Sequence, residues 1–507
     1  MTKEVDVIVV GYGLAGAVAA IEAHDHQAEV VILEKGQYPG GCSILAGGAL
    51  LCASDVEQAA KYLKSISGDR LDENLIWSFA KDLSENEEYL RKLTKCNNGE
   101  VRPYHFDEND IWFGTYPYPF EGRNSLYVST VNNIPGFDGD FPWLQRMRPM
   151  GVNLMKTAMD NVEKRHIEVN LCSPAKRIIS KSNTLIAGVT IDTMSGESVI
   201  LARRAVILAC GGFEQNTTMQ LQYLQGKPFY SVAPLTHTGD GIQMAQKVGA
   251  ALWHMWHIHG SYGFKRPEFP IAFRHTFGGA RNPKHIMPWI VIDKFGRRYM
   301  NECPPAPQDT AHRPMEIYDP DMPGYPRIPS FLIFDENGRK RGPLAEPLAV
   351  GQRIYDWSKD NVEEINKGWI IRAESLESLH SIIYETKENE GKILLNVFLE
   401  TIAEWNKSAT NGSDWLGRPK STMIPIDAPP YYAIPVWPII TNTQGGPMHN
   451  VRQQVIDAFG DPIPKLYCVG ELGSFFGHLY QLAGNLAECL SSGRTAGKYA
   501  AMEGCNW

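Results

Sequence analysis

The sequence lacks three features that would each indicate a particular class of protein. Its 49 lysines and arginines are outnumbered by 57 aspartates and glutamates, so no positive field favours nucleic acid. It has no uninterrupted apolar run of the ~18 residues that a membrane helix needs. Its nine cysteines are scattered singly, without CxxC or CxxCH, which argues against structural zinc, cysteine-ligated iron–sulfur clusters and c-type haem. We therefore expect no nucleic-acid partner, no integral membrane segment and no metal.

The chain has 507 residues, 43% of them hydrophobic, which is enough for roughly three domains of ~150 residues. Its first residues pass directly into a strand-like run, without the apolar core and cleavage site of a secretory signal. Together with the odd number of cysteines, this predicts a cytoplasmic protein in a reducing compartment.

The N-terminus carries a dinucleotide-binding pattern. A β-branched run ends at Gly11, and the motif GYGLAG leads into the small-residue stretch AVAAIEA, which predicts a helix. Gly11 permits a tight turn, Gly13 lets backbone amides approach a pyrophosphate, and Gly16 lets helix and strand pack closely. A second strand ends at Glu34, where a carboxylate can accept a hydrogen bond from an adenosine ribose.

A second glycine-rich loop, residues 39–48, follows too closely to begin another nucleotide domain, so we expect it along the same cofactor, with FAD favoured over NAD. It contains no histidine, the residue to which related dehydrogenases attach flavin, and this predicts non-covalent FAD. Cys42 in this loop is interpreted as a small buried residue, with a reactive thiol beside the flavin as the alternative.

Later segments alternate between the nucleotide domain and other structure. Residues 71–93 predict an amphipathic surface helix, and the aromatic, proline-rich residues 104–143 predict an irregular loop that walls a pocket or fills core. An apolar strand then ends at Cys210, and the motif TGDG opens a helix in which Asp240 serves the flavin ribityl or phosphate region, or is an ordinary N-cap.

The closing segment has strand, turn and helix order again, with the helix beginning at Gly484. We expect this segment to pair with motifs more than 400 residues earlier in the chain. We therefore predict an α/β fold with a discontinuous Rossmann-like FAD-binding domain and an inserted α+β capping domain. The predicted limits are 1–255 and 438–507 for the FAD-binding domain and 256–437 for the cap.

The motifs GYGLAG, GGCSILAGG, ILACGGF, TGDG, TNTQGG and VGELGSFFGHLYQLAGNLAECL, taken in this order, resemble the fumarate reductase and succinate dehydrogenase flavoprotein family over nearly the whole chain. The resemblance implies FAD, with substrate between the cap and the isoalloxazine for hydride exchange with N5. It assigns the following residues to FAD: Gly11, Gly13, Leu14, Ala15, Gly16, Glu34, Lys35, Gly41, Cys42, Ser43, Gly47, Gly48, Ala175, Ala209, Cys210, Gly211, Asp240, Glu471, Tyr480, Asn485 and Leu486.

The sequence departs from the dicarboxylate members of that family. Where they carry a histidine and an arginine that hold the substrate carboxylates, this chain has Asn442 and Gln481. The slot of their proton-donating arginine is Ala306, for which Arg313 in the proline-rich loop is a possible substitute. Fumarate and succinate are therefore disfavoured as substrates.

The C-terminal motif instead resembles the ketosteroid dehydrogenase branch, in which a tyrosine hydroxyl and a backbone amide four residues later polarise a ketone. Tyr480 and Gly484 reproduce that spacing. The branch's second, proton-accepting tyrosine would fall at Ala306, so this role stays open. The candidates for it are Tyr299, Tyr116, Tyr118, His259 and Tyr432.

Three histidines lie within six residues, in the segment WHMWHIHG. His259 is close to where the dicarboxylate members place a substrate-facing histidine, with a hydrogen-bonded structural role as the alternative. His254 and His257 are predicted to be structural. The segment brings no set of carboxylates with it, so a zinc site is not predicted here.

The resulting hypothesis is an FAD-dependent oxidoreductase that forms or reduces a carbon–carbon double bond next to a ketone, on an apolar cyclic substrate such as a 3-ketosteroid or a cyclohexanone. The first alternative is an ene-reductase of a fumarate-like or urocanate-like acid. The second is a non-catalytic flavin-binding electron-transfer module. In each case the chain needs an external electron acceptor or donor, because it lacks haem and iron–sulfur ligands of its own.

Overall fold

The computed structural model describes residues 3–106, 117–144, 149–180, 185–193, 196–275, 285–345, 348–349, 352–353 and 355–504. The helices are Leu14–Asp25, Gly41–Leu45, Val56–Ser67, Glu73–Thr94, Pro149–Lys164, Thr217–Tyr223, Asp240–Lys247, Pro307–Thr310, Glu336–Arg339, Val362–Asn366, Leu376–Glu385, Leu395–Asn411 and Gly484–Met502, with short 3₁₀ turns at Arg123–Ser125, Arg313–Glu316 and Lys420–Thr422.

The first sheet is mainly parallel and takes strands from both ends of the chain. Its order is Gln454–Ile456, Pro462–Cys468, Gly196–Leu208, Lys3–Val10, Val30–Leu33 and Glu168–Asn170, and the meander Ala175–Ser180 and Ile186–Thr193 joins at Gly196–Leu208. The five strands from Pro462–Cys468 to Glu168–Asn170 are parallel. Because a C-terminal strand completes an N-terminal sheet, the predicted discontinuous α/β fold is confirmed.

The second sheet is mainly antiparallel and is built around the long strand Tyr431–Thr443. Its order is Phe273–Arg274, Ile258–Phe264, Tyr431–Thr443, Ser330–Asp335 and Ile290–Ile292, with Tyr230–Ser231 and Ile371–Ala373 also pairing with the long strand. The long strand crosses the predicted domain limit at residue 437. Tyr230–Ser231, which lies before the other predicted limit at residue 256, pairs with the same strand. The numerical domain limits therefore remain predictions.

Part of the segment that we predicted to be irregular is a regular sheet. Leu126–Asn133 pairs with Leu50–Ala53 on one side and with Glu100–His105 on the other. The prediction was wrong here because we weighed the aromatic and proline content of residues 104–143 above the β-branched residues of LYVSTVNN, of which Val128 and Val131 are fully buried. Two small antiparallel pairs complete the sheets: Leu252–Trp253 with Gly446–Pro447, and Leu348–Ala349 with Gln352–Arg353.

Helices Leu14–Asp25 and Gly484–Met502 pack against each other and cover one face of the parallel sheet in a shared apolar core. This packing holds both helix N-termini near the carboxyl ends of the parallel strands, where nucleotide sites form in open α/β sheets. Within the described ranges, no helix combines the length and apolar character that crossing a bilayer requires.

Candidate active site

A cleft opens at the carboxyl ends of the parallel strands. Its lining includes most of the residues that we assigned to a cofactor: Gly11, Gly13, Leu14, Ala15, Glu34, Lys35, Gly41, Cys42, Ser43, Ala175, Ala209, Cys210, Gly211, Asp240 and Glu471. Six assigned residues are not part of this lining: Gly16, Gly47, Gly48, Tyr480, Asn485 and Leu486. The assignment of all 21 residues to FAD stays a prediction.

The turn between the first strand and helix Leu14–Asp25 forms one end of the cleft. Gly11 has a φ of +110°, and a Cβ there would lie 2.3 Å from the carbonyl oxygen of Ala209, so a side chain would not fit. The amide of Leu14 donates to Ser43 Oγ at 3.2 Å, which ties the second glycine-rich loop to the helix N-terminus. An N-terminus at the cleft wall favours an anionic group such as a pyrophosphate.

Three charged groups, Glu34, Lys35 and Asp240, line the cleft. Glu34 accepts hydrogen bonds from the amides of Tyr12 at 2.8 Å and Gly36 at 2.7 Å, which fix its carboxylate at the end of the second strand. Lys35 Nζ lies 2.6 Å from Asp240 Oδ2 and donates to Thr238 Oγ1 at 2.7 Å. The second loop, the strand end at Glu34 and the TGDG motif thus meet at one cleft, as the sequence predicted.

Two buried acids, Glu214 and Glu471, meet at the end of strand Tyr431–Thr443, and Glu471 also lines the cleft. The amide of Thr443 lies 2.9 Å from Glu214 Oε1 and 3.1 Å from Glu471 Oε1, so both carboxyl groups meet at one backbone donor. Burial and the neighbouring charge of Glu214 raise the pKa of Glu471. Burial opposes the ionisation of Glu214, but Glu471 and His237 outweigh it and lower its pKa to about 2. The pair therefore holds one proton, on Glu471, and one negative charge.

His237 lies between this acid pair and the second loop. Its Nδ1 is 3.2 Å from Glu214 Oε2 and 3.7 Å from Cys42 Sγ. Ligand atoms of Cys42, His237 and Glu471 all lie within 4.8 Å of one another. Burial raises the pKa of the Cys42 thiol well above its usual range, so the group is a neutral thiol rather than the thiolate that binds metals. The absence of a metal stays a prediction.

A second cluster of buried polar groups surrounds Asp309. This carboxylate lies 2.9 Å from His257 Nε2, 3.1 Å from Arg313 Nη2 and 3.0 Å from the donating hydroxyl of Tyr118. It also accepts the amide hydrogen of Tyr480 at 3.2 Å. Burial opposes the ionisation of Asp309, but His257 and Arg313 outweigh it and hold the pKa of this carboxyl well below its usual range.

Tyr480 and His259 lie together beside this cluster, with ring centroids 4.3 Å apart. Burial lowers the pKa of His259 to about 3, more than the nearby Asp309 charge raises it, so the imidazole is neutral at pH 7. Its Nδ1 is buried and has no hydrogen-bond partner in the described structure. The amide of Asn485 points to the hydroxyl of Tyr480 at 3.5 Å, and both polar atoms of the Asn485 side chain are buried without a partner there.

One cross-strand pair connects the cleft with the Asp309 cluster. His259 faces Asn442 on the neighbouring strand, and Asn442 Nδ2 donates to Glu471 Oε2 at 3.2 Å. His259 and Asn485 thus carry buried polar atoms that have no hydrogen-bond partner among the described residues. Buried polar atoms are normally paired, so those without a protein partner are ready to bind a ligand.

The remaining catalytic candidates separate into two groups. Tyr118 and Arg313 belong to the Asp309 cluster. The hydroxyl of Tyr299 instead bonds to Ser330 at 2.7 Å, and that of Tyr432 donates to Glu336 at 2.8 Å. Tyr299 and Tyr432 pack in one apolar cluster, whereas Tyr480 belongs to another. Tyr116 lies outside the described residues.

Gly484 and Gln481 are held by contacts within the chain. The Gly484 amide donates to the carbonyl of Gln481 at 2.9 Å, so a substrate carbonyl would have to share that donor. The Gln481 side chain accepts a short hydrogen bond from Tyr62, whose hydroxyl also accepts the amide hydrogen of Tyr118 at 2.9 Å. Gln481, at the position of the missing arginine clamp, therefore braces the loop that carries Tyr118.

Sequence comparison places the chain in a known family. Residues 6–486 match the FAD binding domain family. The chain belongs to this family. Among curated relatives, it is 26% identical to the 3-oxosteroid 1-dehydrogenase of Mycobacterium tuberculosis over 94% of both chains. It is 25% identical to the fumarate reductase (cytochrome) of Shewanella frigidimarina over 98% of this chain and 77% of the relative.

Among solved structures, the 3-ketosteroid delta1-dehydrogenase of Sterolibacterium denitrificans has the same fold, with a TM-score of 0.79 and 21% identity over 98% of this chain and 99% of the other. The predicted family, fold and class of FAD-dependent oxidoreductase are confirmed. The cleft fits the cofactor of the FAD binding domain family, because its wall combines a helix N-terminus, which favours a pyrophosphate, with the carboxylate of Glu34, which can accept a hydrogen bond from a ribose.

Sequence reasoning missed Asp309 and the buried acid Glu214, and it described His257 as structural. Asp309 is the only acid between the Ala306 slot and Arg313, so a search for a charged residue near the mismatched slot would have found it. His257 lies just before strand Ile258–Phe264, and His259 lies within it. This pattern gave no sign that the His257 side chain contacts a carboxylate. Glu214 follows the motif ILACGGF directly, a weak signal in an otherwise apolar segment.

Proposed function

We propose that this FAD-dependent oxidoreductase forms or reduces a carbon–carbon double bond α,β to a ketone on an apolar cyclic small molecule, such as a 3-ketosteroid or a cyclohexanone. FAD, when bound, accepts or gives the hydride. The observation that carries the proposal is the state of Arg313, the cation we considered for holding a carboxylate. Its Nη2 already donates to Asp309 Oδ2 at 3.1 Å and to the carbonyl of His478 at 2.8 Å, so this nitrogen is held by the protein rather than presented to a substrate carboxylate.

A neutral oxygen on the substrate suits the groups that remain. The Tyr480 hydroxyl donates to the ketone, which makes the neighbouring C–H more acidic because the developing enolate is stabilised. His259 is neutral and adjoins Tyr480, so it can share that hydrogen bond without adding charge. Asp309, with its depressed pKa, holds no proton at pH 7; it orients the Tyr118 hydroxyl and the Tyr480 backbone and does not act as a base.

The surroundings of Tyr480 favour an apolar ring. Tyr480 is part of an apolar cluster with Phe475, Phe476, Tyr118 and Ala306. Phe476 meets the Tyr480 ring edge-on, with centroids 5.2 Å apart. Aromatic walls of this kind bury flat hydrocarbon surface effectively, whereas a dicarboxylate gains little from them.

One observation favours the second candidate function, reduction of an unsaturated carboxylic acid. The charge of Arg274 lowers the pKa of His259, so a further cation acts on the site from strand Phe273–Arg274. A carboxylate substrate would require that charge. An Arg274→Gln variant separates the two functions, because it should abolish turnover of an acid and leave ketone turnover within a few-fold of the parent.

The test is anaerobic stopped-flow absorbance of the flavin. The oxidised enzyme is mixed with a 3-ketosteroid, substituted cyclohexanones or succinate, and the reduced enzyme is mixed with the matching unsaturated compounds. We expect cyclic ketones or enones to change the flavin spectrum and the acids to leave it unchanged. Tyr480→Phe should lower kcat/KM about 10²–10³-fold, the usual cost of an oxyanion donor. The matched control is Tyr325→Phe, whose hydroxyl donates to the Gln225 carbonyl at the surface. Full activity of Tyr480→Phe would disprove the role of the hydroxyl.

The attachment of FAD is the second part of the proposal. The loop of residues 39–48 contains no histidine, and the thiol of Cys42 is neutral, so neither group supports a covalent bond to flavin. Denaturation followed by filtration should release all yellow colour from the polypeptide, and flavin retained on the denatured chain would contradict the proposal. The cytoplasmic location and the external electron acceptor or donor predicted above also belong to this proposal.

A further inference from the structure

The side chain of Tyr62 joins two segments of the candidate active site. Tyr62 lies on helix Val56–Ser67 and is fully buried. Its hydroxyl accepts the amide hydrogen of Tyr118 at 2.9 Å and donates to Gln481 Oε1. Because a backbone amide can only donate, the single hydroxyl hydrogen has to point to the oxygen of Gln481. The hydroxyl therefore links the two segments through one accepted and one donated hydrogen bond.

Asp309 joins the same two segments at a second point. Its Oδ2 accepts the hydroxyl hydrogen of Tyr118 at 3.0 Å and the amide hydrogen of Tyr480 at 3.2 Å. Gln481 follows Tyr480 in the chain, so the contacts close into a circuit of Tyr62, Tyr118, Asp309, Tyr480 and Gln481. Each member of a closed circuit is restrained from two sides, so Tyr118 and Tyr480 cannot move independently of each other.

The helix that carries Tyr62 also contacts both segments through its backbone. The carbonyl of Ile66, near the end of the helix, accepts the amide hydrogen of Leu479 at 3.1 Å. The loop that contains Tyr118 packs so closely on the helix that a Cβ on Gly122 would lie 1.9 Å from the carbonyl oxygen of Gln58. The helix is therefore a common support for both segments, and the Tyr62 hydroxyl is the point at which one side chain bonds to both.

We propose that Tyr62 is a positioning residue, whose hydroxyl holds Tyr118 and Tyr480 in a fixed relation to each other and so orients both toward the substrate. It acts on Tyr480 through Gln481 and on Tyr118 through its backbone amide. The catalytic part of this inference rests on the proposed function, whereas the circuit of hydrogen bonds does not. Without the hydroxyl, the Tyr118 amide and Gln481 Oε1 lose this partner, and Gln481 is fully buried, so water does not readily replace it.

The first test is steady-state kinetics of FAD-loaded Tyr62→Phe with the ketone or enone that the wild type turns over. We expect kcat to fall about 10–10²-fold, because a misplacement of about 1 Å has an effect of this size, and KM to stay within about threefold, because the apolar walls are unchanged. The matched control is Tyr89→Phe, which removes a buried hydroxyl that donates to Glu22 Oε1 at 2.7 Å, and its kcat should not change. A wild-type kcat in Tyr62→Phe, or an equal fall in the control, would overturn the inference.

The second test asks whether Tyr62 acts through Gln481. Gln481→Met removes the acceptor and keeps a side chain of similar length, so it should also lower kcat. Because Tyr62→Phe has already broken this contact, the double variant should be no slower than Tyr62→Phe alone. Two effects that multiply would refute the route through Gln481. If Tyr62→Phe does not fold, Gln481→Met breaks the same link and replaces it in the other two tests.

The third test needs no substrate. Hydrogen exchange of the FAD-loaded protein, followed by mass spectrometry, reports on peptides that cover residues 117–120 and 479–484. In Tyr62→Phe, we expect both peptides to exchange about tenfold faster, because the Tyr118 amide loses its acceptor and the circuit that holds the Tyr480 amide is open. Tyr89→Phe should leave both unchanged. Wild-type exchange in the 479–484 peptide of Tyr62→Phe would refute the coupling between the two segments.

The outcomes separate the two proposals. Faster exchange of both peptides in Tyr62→Phe, in a protein whose flavin responds to no ketone or enone, would refute the proposed function and leave the coupling of the two segments standing. Turnover of a ketone or enone with the same kcat in Tyr62→Phe and wild type would refute the positioning role and leave the proposed function intact.

Discussion

Replacing Asp309 with asparagine tests the central contact of the site. The variant keeps the volume but exchanges a carboxylate for a neutral amide, so Arg313 loses its counter-charge and the contact with His257 changes. The new NH₂ group is itself a donor, and it would replace one of two acceptor oxygens. One of these contacts His257, and the other accepts hydrogen bonds from Tyr118, Arg313 and Tyr480. Removing one partner of a buried ion pair costs about 3–5 kcal/mol. Because Arg313 is 28% exposed and can be rehydrated, we expect the lower end, about 3 kcal/mol.

That cost corresponds to a measurable change in Tm. The unfolding entropy is roughly 2.1 cal/mol/K per residue, or about 1.1 kcal/mol/K for this chain, so about 3 kcal/mol lowers Tm by about 3 °C. Scanning calorimetry of the FAD-loaded proteins at pH 7 measures the difference. Asp461→Asn, on an exposed turn, is the matched control and should leave Tm unchanged.

The pH dependence gives a second readout. The pKa of Asp309 is depressed in the folded protein, so its stabilisation is fully present above its usual value of 3.8 and is lost as the pH falls further. The difference in Tm between wild type and Asp309→Asn should therefore have its full value at pH 5 and be smaller at pH 3.5. A variant with the Tm of the wild type at pH 7, or a gap that widens in acid, would refute our account of the cluster.

Two further variants examine the buried acids and the backbone around them. Gly212→Ala should prevent stable FAD binding, because its Cβ would lie 1.9 Å from Thr443 Oγ1 and 2.7 Å from Glu214 Oε1; FAD retained at wild-type affinity, measured by fluorescence titration of the apoprotein, would disprove this. Burial raises the pKa of Glu488 to about 8, so this carboxyl keeps its proton in the folded protein. The free energy of unfolding therefore falls as the pH rises above 4.5, the usual pKa of a glutamate. Glu488→Gln should therefore gain stability relative to wild type between pH 5 and 8, by up to about 1.4 kcal/mol per pH unit in calorimetry, and a pH-independent difference would contradict this.

The FAD-binding half of the molecule could be predicted because its signals are local. The turn at Gly11, the helix that begins at Leu14 and the acid Glu34 lie within about 30 residues, and each is specified by hydrophobic periodicity or by turn chemistry. The second loop and the C-terminal strand, turn and helix were recognisable for the same reason. The structure places the ring of Tyr480 beside that of His259, the histidine that we selected from three, and the catalytic roles of both residues stay predictions.

The charges of the site were decided by tertiary structure alone. Asp309 is 52 residues from His257 and 171 from Tyr480, and Glu214 is 229 residues from Thr443, so no local pattern records these contacts. The sequence determined where a flavin nucleotide can bind, because strand, glycine turn and helix form from neighbouring residues. Only the folded chain determined which acids keep a proton and which stay ionised, because burial and the partners brought from distant segments set the ionisation of each group.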